Sequence, residues 1–465
     1  MNWKSIMLIC FLELYLISNF LYAQDSKWII QDGWVLKKTS QQNEYEKFFA
    51  IGLWGIPGYS FNKLSVKEEK LAYPLNYSMY KNKIKYFNLF YLQSGYGKQY
   101  MNDVVKMGGS AEFSWFLEKE YLDENWDYPS YIMMRQIEKS IYTNKFKDIL
   151  KKSIDLTLNE ASITSSDLIW APFDEIASGV QNWCWPKTAT DFVYSEIKRR
   201  TPEKLVYIDL LGSDGGIGNS YLFEEYYKKK HRTLPEEPPF SIEFINKQTD
   251  KSLLNFHYNS QETTIFDYNE GKRVVRKYKF SVLKDNWYES VKKTAKGYRN
   301  SGDIFGINSY NLTFEYPELV GVTVDAIKSG LGENKPVWIF FDSNGYAMPN
   351  HITVKEYVEN LKCQMYTSLV HGATGMLFWS DLTKQPEVFN QVVEVIEELK
   401  SLQDIFFYET VQQKVSGKIH YIIKISPNKE RYIVAVNTST TESTYFVNDY
   451  KYKWLKPLEV YITKL

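Results

Sequence analysis

Eight short apolar runs, spaced to leave room for a loop, a helix and a second loop between neighbours, constrain this chain more than any other feature of its 465 residues. The clearest is DLIWAPFDE at 167–175, which closes on the adjacent carboxylates Asp174 and Glu175. The others are FFAIGLWG (48–55), YFNLFYLQ (86–93), SAEFSWFL (110–117), KLVYIDLLG (204–212), DIFGINSY (303–310), PVWIFFD (336–342) and TGMLFWS (374–380). Runs without strict polar alternation fit strands buried on both faces, and parallel strands need a crossover of a dozen or more residues between them. Eight of them predict an α/β chain: a (β/α)8 TIM barrel.

The intervening sequence fills in the rest. Apolar residues at helical spacing over 131–158 predict a crossover helix or a pair of them, and Trp287, Val291, Ala295 and Tyr298 predict a helix over 285–300. Thr353 and Glu356 match a capping box, Gly372 is placed to end the helix they open, and 388–402 carries one apolar stripe. The 213–283 stretch, too long for a structureless loop, predicts an insertion after the fifth strand with a hairpin layer built from segments such as 252–258 and 274–280. A short strand or hairpin is expected over 28–36. From Lys414 onward the pattern changes to HYIIKIS, RYIVAVN, STYFVN and LEVYITKL, a small β-sandwich. The expected organisation is a signal peptide at 1–23, a barrel at 24–410 and the sandwich at 411–465.

Composition excludes some classes. Lys plus Arg equals Asp plus Glu at 56 each, so no basic field exists to attract nucleic acid. Lys4, the apolar stretch 6–21 and Ala23 read as an export signal cleaved near Ala23, giving a secreted or periplasmic protein; Glu13 and Asn19 spoil the stretch as a membrane span. Two cysteines then remain, Cys184 and Cys363, expected as separate buried thiols. The five histidines show no ligand spacing, so no metal is expected, and His371 reads as a packing residue at a helix end. GGIGNS at 215–220 lacks the third glycine of a dinucleotide loop and no GxSxG elbow occurs, so no cofactor is expected either. Oligomeric state is not legible.

In an eight-stranded parallel barrel, functional side chains gather at the C-terminal strand ends. That rule selects Trp54, Gln93, Trp115, Asp174, Glu175, Asp209, Tyr310, Asp342, Trp379 and Asp381. Glu175 and Asp342 would end opposite strands, and two carboxyl groups facing one pocket suit cleavage of a glycosidic bond: one protonates the leaving oxygen, the other attacks carbon or activates water. Asp342 in FDSNG also reads as a turn residue capping backbone N–H groups, and Asp174 and Glu175 cannot both aim at the pocket unless the strand bulges.

This order of strand-end residues resembles the clan of retaining (β/α)8 glycoside hydrolases that includes the β-galactosidase, cellulase and β-mannanase families. The resemblance implies Glu175 as acid/base, with Asp174 where the clan commonly has Asn. It implies Asp342 at the nucleophile position, where the clan has Glu. Tyr310 matches the sixth-strand aromatic that hydrogen-bonds the nucleophile, and Trp379 the eighth-strand Trp flooring the sugar site; Trp54, Gln93, Trp115 and Asp174 complete the expected binding set. FFAIGLWGIPGY and YTSLVHGATGMLFWS are similar to exported bacterial glycosidases with a C-terminal sandwich, over roughly residues 44–465. A carbohydrate is therefore the expected partner. A second reading is a barrel that keeps its groove, has lost hydrolysis and binds glycans, and the Asp at position 342 keeps it open.

Overall fold

The structure is a computed structural model. It describes residues 26–39, 44–54, 83, 85–93, 111–115, 148, 150–152, 154–155, 168–173, 176–178, 183–184, 187–210, 262–267, 272–277, 280–308, 316–332, 334–343, 345, 348–349, 351–379, 386–447 and 452–465. The expected export signal, most of the expected 131–158 crossover and segment 215–220 lie outside them.

A hairpin opens the described chain: β1 (Trp28–Gln31) and β2 (Trp34–Lys38), turning through Asp32 and Gly33 at φ 52° and 74°. Two successive positive φ values are what the tightest hairpin turn needs, and Asp-Gly supplies them at low cost. β3 (Tyr45–Lys47) pairs antiparallel with β2. Then come β4 (Ala50–Trp54), β5 (Leu89–Gln93), β6 (Ala111–Trp115), β7 (Leu168–Trp170), the ribbon β8 (Ala177–Ser178) and β9 (Trp183–Cys184), and helix α1 (Lys187–Arg200). β10 (Tyr207–Asp209) is followed by the hairpin β11 (Glu262–Asp267) and β12 (Lys272–Lys277), α2 (Phe280–Tyr298), β13 (Ile304–Asn308), α3 (Glu318–Leu331) and β14 (Val337–Asp342). α4 (Val354–Val370), β15 (Gly375–Trp379), α5 (Pro386–Ser401) and α6 (Gln403–Phe407) lead to β16 (Glu409–Ser416), β17 (Ile419–Ile425), β18 (Arg431–Asn437), β19 (Thr444–Val447), β20 (Tyr452–Leu455) and β21 (Val460–Lys464).

The eight expected runs form one parallel sheet in the order β10-β13-β14-β15-β4-β5-β6-β7. It curls until its edges touch: Trp170 forms a parallel bridge with Val206, and its backbone N–H donates to Leu205 O at 2.8 Å. Alternation along the strands separates two cores. Ile51, Leu53, Phe90, Trp170, Val206, Ile208, Phe305, Ile307, Ile339, Phe341, Met376 and Phe378 face the helices. Their neighbours Ala50, Leu89, Ile169, Tyr207, Ile304, Trp338, Phe340 and Leu377 fill the inside of the curl, where Trp28, Val35 and Phe48 join them. The inner core is dense because glycine sits against bulk. A Cβ on Gly375 would lie 2.6 Å from the Trp338 ring and 2.9 Å from Ala50 Cβ, and one on Gly306 2.2 Å from Tyr207 Oη.

Several expectations are corrected. β7 ends at Trp170, not at the carboxylates: Ala171, Pro172 and Phe173 continue as buried chain without strand pairing, because Pro172 has no N–H to give a ladder. After the fifth strand a hairpin pairs 262–267 with 272–277 through a four-residue connection, taking in the first residues of the expected 274–280 segment; the expected 252–258 segment lies outside the described residues. β16 precedes the expected start at Lys414, and α1 and α3 were not signalled. α4 opens on the expected capping box, Thr353 Oγ1 accepting from Glu356 N while Glu356 receives Thr353 N–H, and Gly372 follows its end at φ 91°.

Beyond α6, β16-β17-β18-β21 form an antiparallel sheet and β19-β20 a two-stranded one. Two histidines help join them to the helices. His371, 2% exposed, places Nδ1 2.8 Å from Asp325 Oδ2 and Nε2 2.7 Å from Nδ1 of the buried His420 on β17. When both rings are neutral and His371 donates to Asp325, His420 must donate to His371. Gly321 lies one turn before Asp325 on α3, and a Cβ there would stand 2.5 Å from the His371 ring. Lys418 pairs with the buried Glu318 close by, and Cys363, a free thiol pushed up by burial, lies 3.6 Å from Asn437 O.

Two outcomes are expected in urea unfolding. Gly375→Ala should cost about 1–3 kcal/mol through overpacking against Trp338. Gly321→Ala should also destabilise, although Ala favours the helix by about 1 kcal/mol, and should become neutral or stabilising once His371→Ala has removed the ring it strikes. Additive effects of the latter pair would contradict the contact.

Candidate functional site

The parallel register brings three strand-end residues to one level. Asp342 pairs with Trp379, and Trp379 pairs with Trp54, at the C-terminal ends of β14, β15 and β4. On the next two strands Gln93 and Trp115 pair with each other at the ends of β5 and β6. Five of the residues selected from sequence thus lie on consecutive strands at one end of the sheet. The side chains of Trp54, Gln93 and Trp115 lie outside the described residues, as do Asp174, Glu175, Tyr310 and Asp381 altogether.

The chain on either side of Asp174 and Glu175 is described. Phe173 and Ile176 are both buried in the outer core, and Ile176 N–H donates to Asp209 O at 3.0 Å. Asp209 is the last residue of β10 and 2% exposed, so Ile176 is tied to the same C-terminal end of the sheet as Asp342.

Asp342 is completely buried. Its Oδ2 accepts the hydroxyl proton of Tyr357 at 2.8 Å, and Tyr357 reaches it from the first turns of α4. Burial, then the charge of Asp342 and this hydrogen bond, push the Tyr357 hydroxyl well above its ordinary range, so it remains a donor at any physiological pH. Ser343 ties the neighbouring strand end in place: its N–H and its hydroxyl both donate to Trp379 O, at 3.0 and 2.7 Å. Trp379 is half-buried and packs against the inner core, leaving part of its surface at the rim. Asn308 ends β13 nearby, 4% exposed.

Tyr357 and Asn308 were not singled out from sequence. Asn308 stands two residues before the Tyr310 chosen for its strand. Tyr357 was signalled only through the capping box: fixing the helix start at Thr353 places residue 357 within the first turns of α4, beside the strand end that precedes it.

This arrangement supplies a fixed carboxylate with a permanent donor and an aromatic surface at the rim. Among the described residues no three His, Cys, Asp or Glu side chains cluster to hold a metal ion, and no helix is long and apolar enough to cross a membrane.

No protein-family model and no curated protein matches the chain. Among solved structures it is similar to an endo-β1,6-glucanase at 12% identity, with a TM-score of 0.32 over 94% of this chain and 92% of that one. It is also similar to a glucosidase from Croceicoccus marinus at 7% identity, with a TM-score of 0.39 over 87% and 79%. A third similarity is to AmyP in complex with maltose, at 8% identity, with a TM-score of 0.31 over 85% and 88%.

Tyr357→Phe should lower stability by about 1.5–3 kcal/mol, the usual worth of a hydrogen bond to a charged group, because the buried Asp342 loses a donor that water cannot replace. Chemical denaturation of the variant beside the parent protein reads this directly, and an unchanged midpoint and slope would mean that the bond is not made.

Proposed function

We propose that this chain is an exported glycoside hydrolase that cleaves O-glycosidic bonds of a poly- or oligosaccharide, built on a (β/α)8 barrel with an insertion after the fifth strand and a small C-terminal β-sandwich. The observation that carries this reading is the common level of Asp342, Trp379 and Trp54 at the C-terminal end of the curled parallel sheet, together with the tie from Ile176 to Asp209 beside Glu175. Working groups of parallel barrels collect at that end, and glycoside cleavage asks for two carboxyl groups there and a flat apolar surface for the sugar ring.

In this mechanism Glu175 protonates the departing glycosidic oxygen. Asp342 provides the second carboxylate, either attacking the anomeric carbon or taking a proton from water that attacks it. Asp is one methylene shorter than Glu, which lengthens the gap between the two groups and favours the water route. Tyr357 holds the Asp342 carboxylate, and Trp379, Trp54, Trp115, Gln93, Tyr310 and Asp174 receive the sugar. The amino-terminal segment would be removed near Ala23 on export.

Glu175→Gln tests the reading. Turnover should fall by roughly 10²- to 10⁴-fold, the usual contribution of a general acid, while binding survives. Wild-type activity in that variant would remove Glu175 from the mechanism.

One observation favours a second reading. Asp342 is fully buried and already engaged by Tyr357, as a structural carboxylate would be. On that reading the chain binds glycans at the same end of the sheet and breaks no bond. Release of reducing ends from any polysaccharide in a broad panel excludes it; binding without release from all of them selects it.

A further inference from the structure

The hairpin β19-β20 carries three of the most exposed aromatic rings among the described residues. Tyr445 is 46%, Trp454 64% and Tyr452 77% exposed, and Val447 beside them is 58% exposed. The register explains the grouping: Tyr445 pairs with Trp454 and Val447 with Tyr452, so alternation turns all four outward. Phe446 and Leu455, pointing the other way, are buried and pack with Tyr421, Ile423 and Ile433 of the C-terminal sheet. The rings form a continuous row, with centroids 5.1 Å apart for Tyr445 and Trp454 and 6.5 Å for Tyr445 and Tyr452, each pair tilted by 45–49°. Rings held in mutual contact yet left to water carry a hydration cost, and no packing among the described residues offsets it.

We propose that this face is a carbohydrate-binding platform, separate from the C-terminal end of the parallel sheet, that stacks the pyranose rings of a neutral polysaccharide. Its size argues against a protein partner: stable protein interfaces use roughly 800 Å² and 20–30 residues a side, and this row consists of four side chains on two four-residue strands. Its charge fits an uncharged ligand. None of the four outward residues is an acid or base of the Asp, Glu, Lys, Arg or His type, and Lys453, the cation between Tyr452 and Trp454, turns away to pair with Glu459 and lie over Tyr461. Its chemistry fits a sugar, because the C–H bonds on a pyranose face carry partial positive charge and lie well against the negative face of an aromatic ring. The Tyr445 and Tyr452 hydroxyls and the Trp454 N–H remain on an open surface, able to meet sugar hydroxyls. The platform does not depend on cleavage elsewhere in the chain, so the two proposals fail separately.

The test is native affinity electrophoresis of the full chain in gels containing pustulan, laminarin, soluble starch, xylan or galactomannan, run for the parent protein, Trp454→Ala and Tyr445→Ala/Tyr452→Ala. Glu175→Gln serves as the common background, so that degradation is suppressed equally and residual binding at the mouth is the same in every lane. At least one polysaccharide should retard the parent, and each platform variant should bind it at least tenfold more weakly while keeping the parent's thermal midpoint, as expected for exposed side chains. Retardation that is equal in parent and variants would overturn the proposal, as would no retardation by any of the five. Sedimentation equilibrium and flotation with phosphatidylcholine vesicles cover the other occupants: self-association or vesicle binding abolished by Trp454→Ala, with glycan binding intact, would assign the face to a second copy or to a lipid surface instead.

Discussion

The structure depends on burial of both faces of one parallel sheet. A strand whose residues alternate between two apolar environments cannot slip by one position without moving every side chain into the wrong one. Here the inner environment is crowded: Trp338, Tyr207 and Phe340 occupy it with aliphatic neighbours from the surrounding strands, and glycines 306 and 375 are there because a methyl group would strike an aromatic side chain. Register is therefore fixed by volume as well as by hydrogen bonds. The level of every strand end follows from it, which is how Asp342, Trp379 and Trp54 arrive side by side.

The same fixed register makes the strand ends a good place for polar groups that must hold position. Asp342 leaves the sheet at the point where backbone pairing stops, and the helix that follows returns Tyr357 to it. A buried carboxylate is tolerable only with donors at hand. Ser343 meanwhile spends both its donors on the neighbouring strand end, so the rim is stiffened laterally between β14 and β15.

The C-terminal sheets are joined to the parallel sheet's helices by polar as well as apolar contacts. The Asp325–His371–His420 row and the Lys418–Glu318 pair place directional bonds, buried at their His371–His420 centre, across the junction, where apolar packing alone would tolerate sliding. With that junction fixed on one side of the β16-β17-β18-β21 sheet, the β19-β20 hairpin remains free to present its rings to solvent.

By itself the sequence determined where the eight parallel strands lie, a leading strand or hairpin over 28–36, the capping box at Thr353 and the helix over 388–402, because each is written in local periodicity or turn chemistry. It also marked Trp54, Gln93, Trp115, Asp209, Asp342 and Trp379 as strand ends, since a fixed pleat makes the end of an apolar run the end of a buried strand. It missed α3, whose sequence ELVGVTVDAIKSGL mixes β-branched residues and glycines that disfavour an isolated helix; packing against its neighbours overrides that preference. It extended β7 too far, because apolar character continues through Ala171–Phe173 while Pro172 ends the pairing. Only the tertiary structure decided that His371 meets His420, that Tyr357 meets Asp342 and that Tyr445, Tyr452 and Trp454 share one open face. Each of these joins residues through strand pairing or helix packing, and no local pattern records which distant side chain will stand opposite when the sheets close.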